Sequence, residues 1–243
     1  MLGAGRKLAY MTATLQTLAG DPDPAGSTTT TGADLVSDPV DAVVFDLGNV
    51  LIAWDPHPAI AKGVGQEQAA LFLADQGFGF MAWNHRQDAG RSWDRAEEVA
   101  VASHPHWAGA VRAYRANFGE SLVGSISGVV AILRELHAAG VPLYGLTNWS
   151  AELFPAARYR FDFLELFEDI IISGEEGVAK PDPAIFQILA QRIGHTLKGS
   201  IFIDDSPANI AAAGHAGLDA ILFTGTGHLR ADLLMRGLPL SHG

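Results

Sequence analysis

Runs of apolar residues that end in small or polar residues recur along the chain from residue 41 onward. Five of them favour β-strands: AVVF before Asp46, PLYGL before Thr147, DIII before Ser173, SIFI before Asp204 and AILF before Thr224. Helical patterns lie between the last four runs, at residues 151–159, 183–193 and 207–216. Because nearly continuous apolar strands alternate with helices, the chain is predicted to be α/β, with a parallel sheet covered on both faces.

The stretch between the first and second predicted strands is too long for one crossover helix. About ninety-five residues separate Asp46 from the second strand, whereas a crossover needs roughly a dozen or more. Helices are predicted there at 66–75, 92–103 and 105–118, with Ser92 as an N-cap. We therefore predict a small helical cap domain at 57–124, and a core domain built from 39–56 and 125–243.

Two further helices are predicted in the core. The first, 129–139, is capped by Ser127 and returns the chain to the sheet, and the second covers 228–236. Residues 1–38 differ from the rest, since they are rich in Thr, Gly, Pro and Asp. Such a composition buries too little apolar surface to offset the entropy of ordering, so a disordered extension is predicted. No later apolar stretch reaches the length of a membrane span.

The net charge narrows the choice of partners. The chain has 16 basic and 27 acidic residues, a net charge of -11, and no run of Lys or Arg. Nucleic acid is therefore not expected as a partner, and a site for anions must obtain positive charge locally, from a metal ion or a well-placed Lys. The chain lacks cysteine, which excludes disulfides and thiolate chemistry and fits a cytoplasmic location.

Polar residues follow several of the predicted strands, and ligands of such sheets bind at the carboxyl ends of the strands. Asp46 is a candidate nucleophile toward phosphorus, because a carboxylate can form an aspartyl-phosphate that water then cleaves. A turn acceptor at the end of the strand is the alternative role. Thr147 and the backbone N–H groups near it, including Asn148, are candidates for holding phosphate oxygens.

The acidic pair Asp204 and Asp205 strengthens the case for chemistry. Two close carboxylates repel each other by very roughly 4 kcal/mol at an effective dielectric near 20, so three of them at one sheet edge need a cation. Oxygen ligands shared with a phosphate suit Mg²⁺. Lys180 is a second candidate cation that could neutralise a phosphate, although a solvated surface lysine is the alternative. Asp205 or Ser206 could also cap the helix that follows.

Four motifs, FDLGNVL, LTNW, AKPDPAIF and FIDDSPANI, resemble in order and spacing the motifs of the haloacid dehalogenase-like (HAD) hydrolase superfamily over about residues 41–225. The resemblance implies a Rossmann-like sheet in the order 3-2-1-4-5 with an inserted α-helical cap. It also implies Asp46 as nucleophile, and Thr147 and Lys180 around the phosphate. Mg²⁺ would be bound by Asp46, the Gly48 carbonyl and Asp205, with Asp204 as a further ligand or a support for one, itself assisted by Asn209.

The chain departs from this resemblance at Gly48. Phosphatases of the superfamily usually carry an Asp there as general acid and base, and such help contributes about 10² to 10⁴ in rate. Either the leaving group needs little protonation, as in an anomeric sugar, acyl or aryl phosphate, or the reaction is not phosphoryl transfer. Rates should then fall steeply as the leaving group becomes more basic. Asp55 is a weaker candidate for replacing the acid.

Three functions fit these residues. The favoured one is an Mg²⁺-dependent phosphatase of small phosphorylated metabolites, because it explains the acidic pair. A 2-haloacid dehalogenase tolerates Gly48 but leaves that pair unexplained, and a non-catalytic binding protein leaves the nucleophile without a purpose. Trp83, Asn84 and Arg86 in the cap are candidates for contacting substrate, with packing as the alternative for Trp83. The sequence leaves the oligomeric state open.

Overall fold

A computed structural model describes residues 40–241, and the extension predicted for residues 1–38 lies outside them. Seven strands occur in chain order: β1 Ala42–Phe45, β2 Ile52–Trp54, β3 Leu122–Ser125, β4 Leu143–Thr147, β5 Asp169–Ile172, β6 Ser200–Asp204 and β7 Asp219–Leu222. Five of them form a parallel sheet in the order β5-β4-β1-β6-β7. Counted within the sheet this order is 3-2-1-4-5, which confirms the predicted fold.

The central strand β1 shows why the apolar runs are nearly continuous. Its side chains alternate between two buried clusters, with Val43 and Phe45 in one and Ala42 and Val44 in the other. A strand alternates its side chains between the faces of a sheet, so a sheet covered on both faces needs apolar residues at every position. Val43 pairs with Leu143 of β4 on one side and with Ile201 of β6 on the other.

Eleven α-helices are described in residues 40–241. The first five lie between β2 and β3: α1 Pro56–Val64, α2 Gln66–Ala74, α3 Phe80–Asp88, α4 Trp93–Ser103 and α5 Ala108–Ala116. The other six follow β3 in the chain, between and after the remaining strands of the sheet: α6 Ser127–Ala138, α7 Phe154–Arg160, α8 Ser173–Glu176, α9 Pro183–Ile193, α10 Pro207–His215 and α11 Thr226–Met235. None of these helices is long and apolar enough to cross a membrane. Helices α9 and α10 cover one face of the sheet, and α6 and α11 contribute to the cluster on the other.

Residues 56–121, which we call the insert, contain α1 to α5 and have an aromatic interior. Phe72, Phe80, Trp83, Trp93 and Tyr114 are buried there, and the ring centroids of Trp83 and Trp93 lie 5.3 Å apart. These residues belong to the same cluster as Val43 and Phe45. The boundaries predicted for a separate cap domain remain a prediction.

Several local predictions need correction. Ser127 does not cap α6, because it is the first helical residue and Ile126 occupies the N-cap position. The helix predicted at 151–159 begins only at Phe154, and the one predicted at 105–118 begins as a 3₁₀ turn at Pro105–Trp107 before α5. The N-cap at Ser92 is confirmed, since its side chain accepts a hydrogen bond from the Arg95 backbone at 3.4 Å.

The antiparallel pair β2 and β3, at the two ends of the insert, was not predicted. Ile52 pairs with Ser125 and Ala53 with Gly124. These strands have three and four residues, too few for an alternating pattern to be recognised in the sequence. The pair places the start and the end of the insert side by side, directly after the turn that follows Asp46.

Candidate active site

Asp46 lies at the carboxyl end of the central strand, where the parallel strands deliver their polar residues. Its backbone N–H donates to the Ile203 carbonyl at 2.8 Å, and its Oδ1 accepts from the Leu47 backbone at 2.7 Å. The turn that follows is made possible by Asn49, whose φ of 55° is in the left-handed region that Asn tolerates better than most residues. The buried carboxylate is therefore held by its own strand and turn.

Lys180 is buried and lies among three acceptors. Its Nζ donates to the Leu146 carbonyl at 2.6 Å and to Asp204 Oδ2 at 2.7 Å, and it lies 3.1 Å from Asp46 Oδ1. Only 1% of its surface is exposed, so the alternative of a solvated surface lysine is wrong. Burial alone would lower the pKa of Lys180, but the charges of Asp46 and Asp204 outweigh it and raise the pKa. The ammonium group is therefore charged at neutral pH.

Asn148 holds the backbone of Lys180 from both sides. Its Nδ2 donates to the Lys180 carbonyl and its Oδ1 accepts from the Lys180 N–H, both at 2.8 Å. This reciprocal pair links the loop after β4 to the loop before α9. The predicted contact of Asn148 with phosphate stays a prediction, and the structure assigns its side chain amide to positioning Lys180.

Asp204 and Asp205 are adjacent but differ in environment. Asp204 is buried, and its carboxylate accepts from Lys180, from the Ser206 backbone at 2.8 Å, and from Asn209 Nδ2 at 2.9 and 3.0 Å. Asp205 is exposed and lines the cavity above the sheet. Ser206, and not Asp205, is the N-cap residue of α10, with no hydrogen bond from its side chain to the helix. Asp205 is thus the freer of the two carboxylates for an external ligand.

The carboxylates of Asp46, Asp204 and Asp205 form a single cluster. One oxygen from each lies within 4.8 Å of the others. Burial raises the pKa of Asp46 to about 7, with Lys180 opposing the rise and Asp204 adding to it. Burial and the charge of Asp204 also raise the pKa of Asp205. When all three carboxylates are ionised, their negative charge exceeds the positive charge of the one ammonium group. Their oxygen atoms fit a divalent cation such as Mg²⁺, which would balance this excess.

A cavity of about 350 Å³ opens above the cluster, between the sheet and the insert. Asp46, Gly48, Asp205 and Lys180 line its floor. Its wall is formed mainly by apolar and aromatic side chains, together with polar groups of α3: Trp54, Met81, Asn84, His85, Asp88, Trp93, Tyr114, Phe118, Trp149 and Leu153. We use the terms floor and wall for these two sets. Because the carboxylates outnumber the single ammonium group, this site suits a ligand with an apolar body whose anionic head binds together with a cation.

The predicted site residues outside the cluster divide into two groups. Gly48 and Asn84 line the cavity, whereas Thr147, buried at the end of β4, does not, and its role in binding phosphate stays a prediction. Trp83 packs in the interior of the insert, and Arg86 is exposed and does not line the cavity. Of the three cap residues, Asn84 alone is placed at the cavity, and the contacts predicted between substrate and these residues stay predictions.

Asp55 does not replace the acid missing at Gly48. It is the N-cap of α1, where its Oδ1 accepts from the His57 backbone at 2.9 Å, and it does not line the cavity. Asp88, which ends α3 and lines the cavity wall, was not among the predicted site residues. A carboxylate within the polar stretch after Trp83 was the signal that could have identified it, but α3 itself was not predicted.

The sequence model of the haloacid dehalogenase-like hydrolase family matches residues 40–217. The chain belongs to the haloacid dehalogenase-like hydrolase family. Its fold is shared with a HAD family enzyme from Bacteroides thetaiotaomicron solved with magnesium and inorganic phosphate, at a TM-score of 0.60 and 20% identity over 75% of this chain and 93% of that one. A solved dehalogenase also shares the fold, at a TM-score of 0.58 and 20% identity over 77% and 86% of the two chains. The fold alone therefore does not separate a phosphatase from a dehalogenase.

Curated relatives of this HAD-like hydrolase differ in how much of their length it covers. It is 26% identical to a drimenol cyclase from Aspergillus calidoustus over 76% of this chain and 34% of that protein. It is 32% identical to a sesquiterpene phosphatase from Aspergillus oryzae over 40% and 49% of the two chains. A ribulose-1,5-bisphosphate 5-phosphatase from Halopiger xanaduensis is 25% identical over 75% of this chain and 84% of its own. The chain thus spans only a third to a half of the first two relatives.

Proposed function

We propose that this HAD-like hydrolase is an Mg²⁺-dependent phosphatase that cleaves small phosphomonoesters through an aspartyl-phosphate on Asp46. The observation that carries the proposal is the cluster of Asp46, Asp204 and Asp205 around the single ammonium group of Lys180. A divalent cation and a phosphate together would satisfy this arrangement. The phosphatases among the relatives support the same conclusion.

Each residue of the floor has a role in this reaction. Asp46 attacks phosphorus with its free carboxylate oxygen, while the Leu47 N–H and Lys180 hold the other one. Lys180 also offsets negative charge that the phosphate brings into the buried site. Asp46, Asp205 and the Gly48 carbonyl would hold Mg²⁺, and Asp204 would support them through Lys180 and Asn209. When bound, Mg²⁺ would stabilise the charge on the phosphate oxygens.

The wall indicates which phosphomonoesters fit. Aromatic and aliphatic side chains form most of the wall. The cavity volume of about 350 Å³ is at the small end of the range for ligand sites. We therefore propose a substrate with one phosphate and a compact leaving group that carries an apolar or aromatic part.

A dehalogenase remains the rival function, and Gly48 is the observation that favours it. Halide leaves carbon without a proton, so the missing acid would not matter. The excess of carboxylates argues against it, because the carboxylate of a 2-haloacid would be repelled by Asp46 and Asp205 unless a cation lay between them.

A parallel assay of phosphomonoesters and 2-haloacids, with Mg²⁺ and with EDTA, tests the proposal. We expect p-nitrophenyl phosphate and other aryl phosphates to be hydrolysed with Mg²⁺ and not with EDTA, and activity to return when Mg²⁺ is added back. Release of chloride from 2-chloropropionate that EDTA does not reduce would support the rival. A protein that binds phosphate but turns over neither class would be the non-catalytic alternative. The cytoplasmic location stays a proposal.

A further inference from the structure

A third carboxylic acid lines the cavity beside Asp46 and Asp205. Asp88 is the last residue of α3, so it comes from the insert, whereas Asp46, Asp204 and Asp205 come from the ends of sheet strands. Asp88 is partly buried and does not support the floor cluster through any hydrogen bond in the described residues. Its place in the wall needs another explanation.

Asp88 is held in a defined position at the junction of the insert and the sheet. Its backbone carbonyl accepts from Ser173 Oγ at 2.5 Å, and Ser173 begins α8 directly after β5. Its Oδ2 accepts from Asn84 Nδ2 at 3.2 Å, one turn earlier in α3. The Ser150 backbone N–H also interacts with its carboxyl group, and Ser150 Oγ accepts from Trp93 Nε1 at 2.8 Å.

Within residues 40–241, no cationic side chain neutralises the carboxyl group of Asp88. Among the described residues, Lys and Arg make no ion pair with Asp88, unlike the paired carboxylates on the outer surface. The titratable groups that share the cavity with it are Tyr114 from α5, His85 from α3 itself, and Asp46, Lys180 and Asp205 on the floor. Burial raises the pKa of Asp88 to about 8, opposed by the Ser150 N–H. A raised pKa favours the protonated form of Asp88 near neutral pH, which is the form that can donate a proton.

The direction of attack makes a donor in the wall useful. Asp46 approaches phosphorus from the floor, and in an in-line displacement the leaving oxygen departs on the opposite side. Asp88 reaches the cavity from the insert, whereas Asp46 reaches it from the end of a sheet strand, so the two acids enter the site from different elements. The usual proton donor of the superfamily is missing at Gly48, which lies on the floor.

We propose that Asp88 is the general acid of this enzyme, protonating the leaving oxygen from the insert in place of an acid at position 48. The assignment rests on the proposed phosphatase function. As the bond between Asp46 and phosphorus forms and the ester P–O bond breaks, the Asp88 proton moves to the leaving oxygen and an alcohol or phenol departs. Water then attacks phosphorus, its proton passes to the Asp88 carboxylate, and inorganic phosphate is released with Asp46 restored.

The site offers a direct rescue experiment, because nothing in the fold forces position 48 to be glycine. A Cβ added to Gly48 would meet no atom within 4 Å, and its φ lies outside the left-handed region. Gly48→Asp should therefore be accommodated and place a carboxyl group on the floor. If Asp88 is the donor, Gly48→Asp should restore part of the activity lost in Asp88→Asn.

The test measures kcat/KM with Mg²⁺ for phosphomonoesters whose alcohols range from p-nitrophenol to simple benzyl and alkyl alcohols. For Asp88→Asn we expect a loss of about 10² to 10⁴ on alkyl and benzyl esters and a much smaller loss on p-nitrophenyl phosphate. In Asp88→Asn, kcat/KM should fall more steeply with the basicity of the leaving group than in wild type. In the double variant Gly48→Asp/Asp88→Asn, this dependence should become shallower again. Asp94→Asn, at an exposed carboxylate of α4, is the matched control and should equal wild type. An equal loss on all esters, or none, overturns the assignment.

The wild-type enzyme gives an independent readout that does not depend on how Asp88→Asn folds. Because the acid must be protonated, kcat/KM on alkyl esters should fall as the pH rises through about 8, while kcat/KM on p-nitrophenyl phosphate should be much less affected. If the rate depends on leaving-group basicity in the same way above and below this pH, the assignment of Asp88 is overturned, while the phosphatase function stays intact. Absence of Mg²⁺-dependent turnover of every phosphomonoester by wild type overturns both.

Discussion

The floor and the wall of the cavity are built from different interactions. On the floor, charged groups bind one another: Lys180 has three oxygen acceptors, one of them on the buried Asp204, which also accepts from Ser206 and Asn209. In the wall, the rings of Trp93 and Tyr114 pack against each other, and no Lys or Arg among the described residues pairs with the carboxyl group of Asp88. Under the proposed phosphatase function, the floor would perform the reaction on phosphorus, whereas the wall would select the leaving group and assist its departure.

The largest effect is expected on the floor, for Asp46→Asn. The amide is isosteric but is a much weaker nucleophile, so kcat should fall on the order of 10⁴-fold or more. Steady-state turnover of p-nitrophenyl phosphate measures it. The control is Asp162→Asn, at an exposed carboxylate on the 3₁₀ turn Asp162–Leu166, which should keep wild-type turnover. Comparable activity in Asp46→Asn would remove the covalent mechanism.

Asn209→Ala tests whether the support beneath the floor matters. The change removes the Nδ2 donor that binds both oxygens of Asp204. Outer partners of this kind typically affect metal affinity or activity by about 10- to 100-fold. The Mg²⁺ concentration for half-maximal activity should therefore rise by about that factor, as measured by titration of EDTA-treated enzyme. An unchanged Mg²⁺ requirement would show that Asp204 does not act through the metal.

Asn148→Ala separates positioning of Lys180 from general stability. It removes the two hydrogen bonds to the Lys180 backbone, so the free energy of unfolding should fall by about 1–3 kcal/mol and kcat should fall as well. Urea unfolding and turnover measure the two effects. Asn117→Ala is the matched control, because Asn117 Nδ2 donates to the Ala113 carbonyl in the insert. It should lower stability and leave kcat unchanged, and equal kcat losses in both variants would argue against positioning.

The smallest effect is expected in the wall, for Met81→Ala. Met81 lines the cavity but is 63% exposed, so its loss removes only part of an apolar contact. A loss of about 1 kcal/mol of binding free energy should raise the KM for aryl phosphates by roughly fivefold and change kcat little. Met235→Ala, at another exposed methionine on α11, should leave both constants unchanged. A fall in kcat rather than a rise in KM would place Met81 in the reaction itself.

The floor could be predicted from the sequence because topology alone assembles it. Asp46 and Asp204 each end a strand of one parallel sheet, and such strand ends meet at one edge. A buried apolar run followed by a polar residue is visible in the chain without any knowledge of side-chain contacts. The burial of Lys180 was less predictable, since it depends on the amide of Asn148 and the carbonyl of Leu146.

The wall could not be predicted, because its geometry depends on tertiary packing within the insert. Helix α3 buries Phe80, Trp83 and Gln87 on one side, and a polar residue at the third position hides the helical pattern of apolar residues. Gln87 is accommodated by donating to the Trp83 carbonyl at 2.8 Å. Because α3 was not predicted, the position of Asp88 at its end could not be predicted either. For the same reason, the sequence was compatible both with packing and with substrate contact for Trp83.

The pairing of β2 with β3 has a consequence for how such enzymes diversify. Ile52 and Ser125 are partners in this small ribbon, so a short reverse turn could join the two strands where the whole insert now stands. The strands of the large sheet would keep their neighbours after such an excision. A lineage could therefore replace the insert with one of different size and acquire new substrates, while the hydrolase chemistry at the edge of the sheet is inherited unchanged.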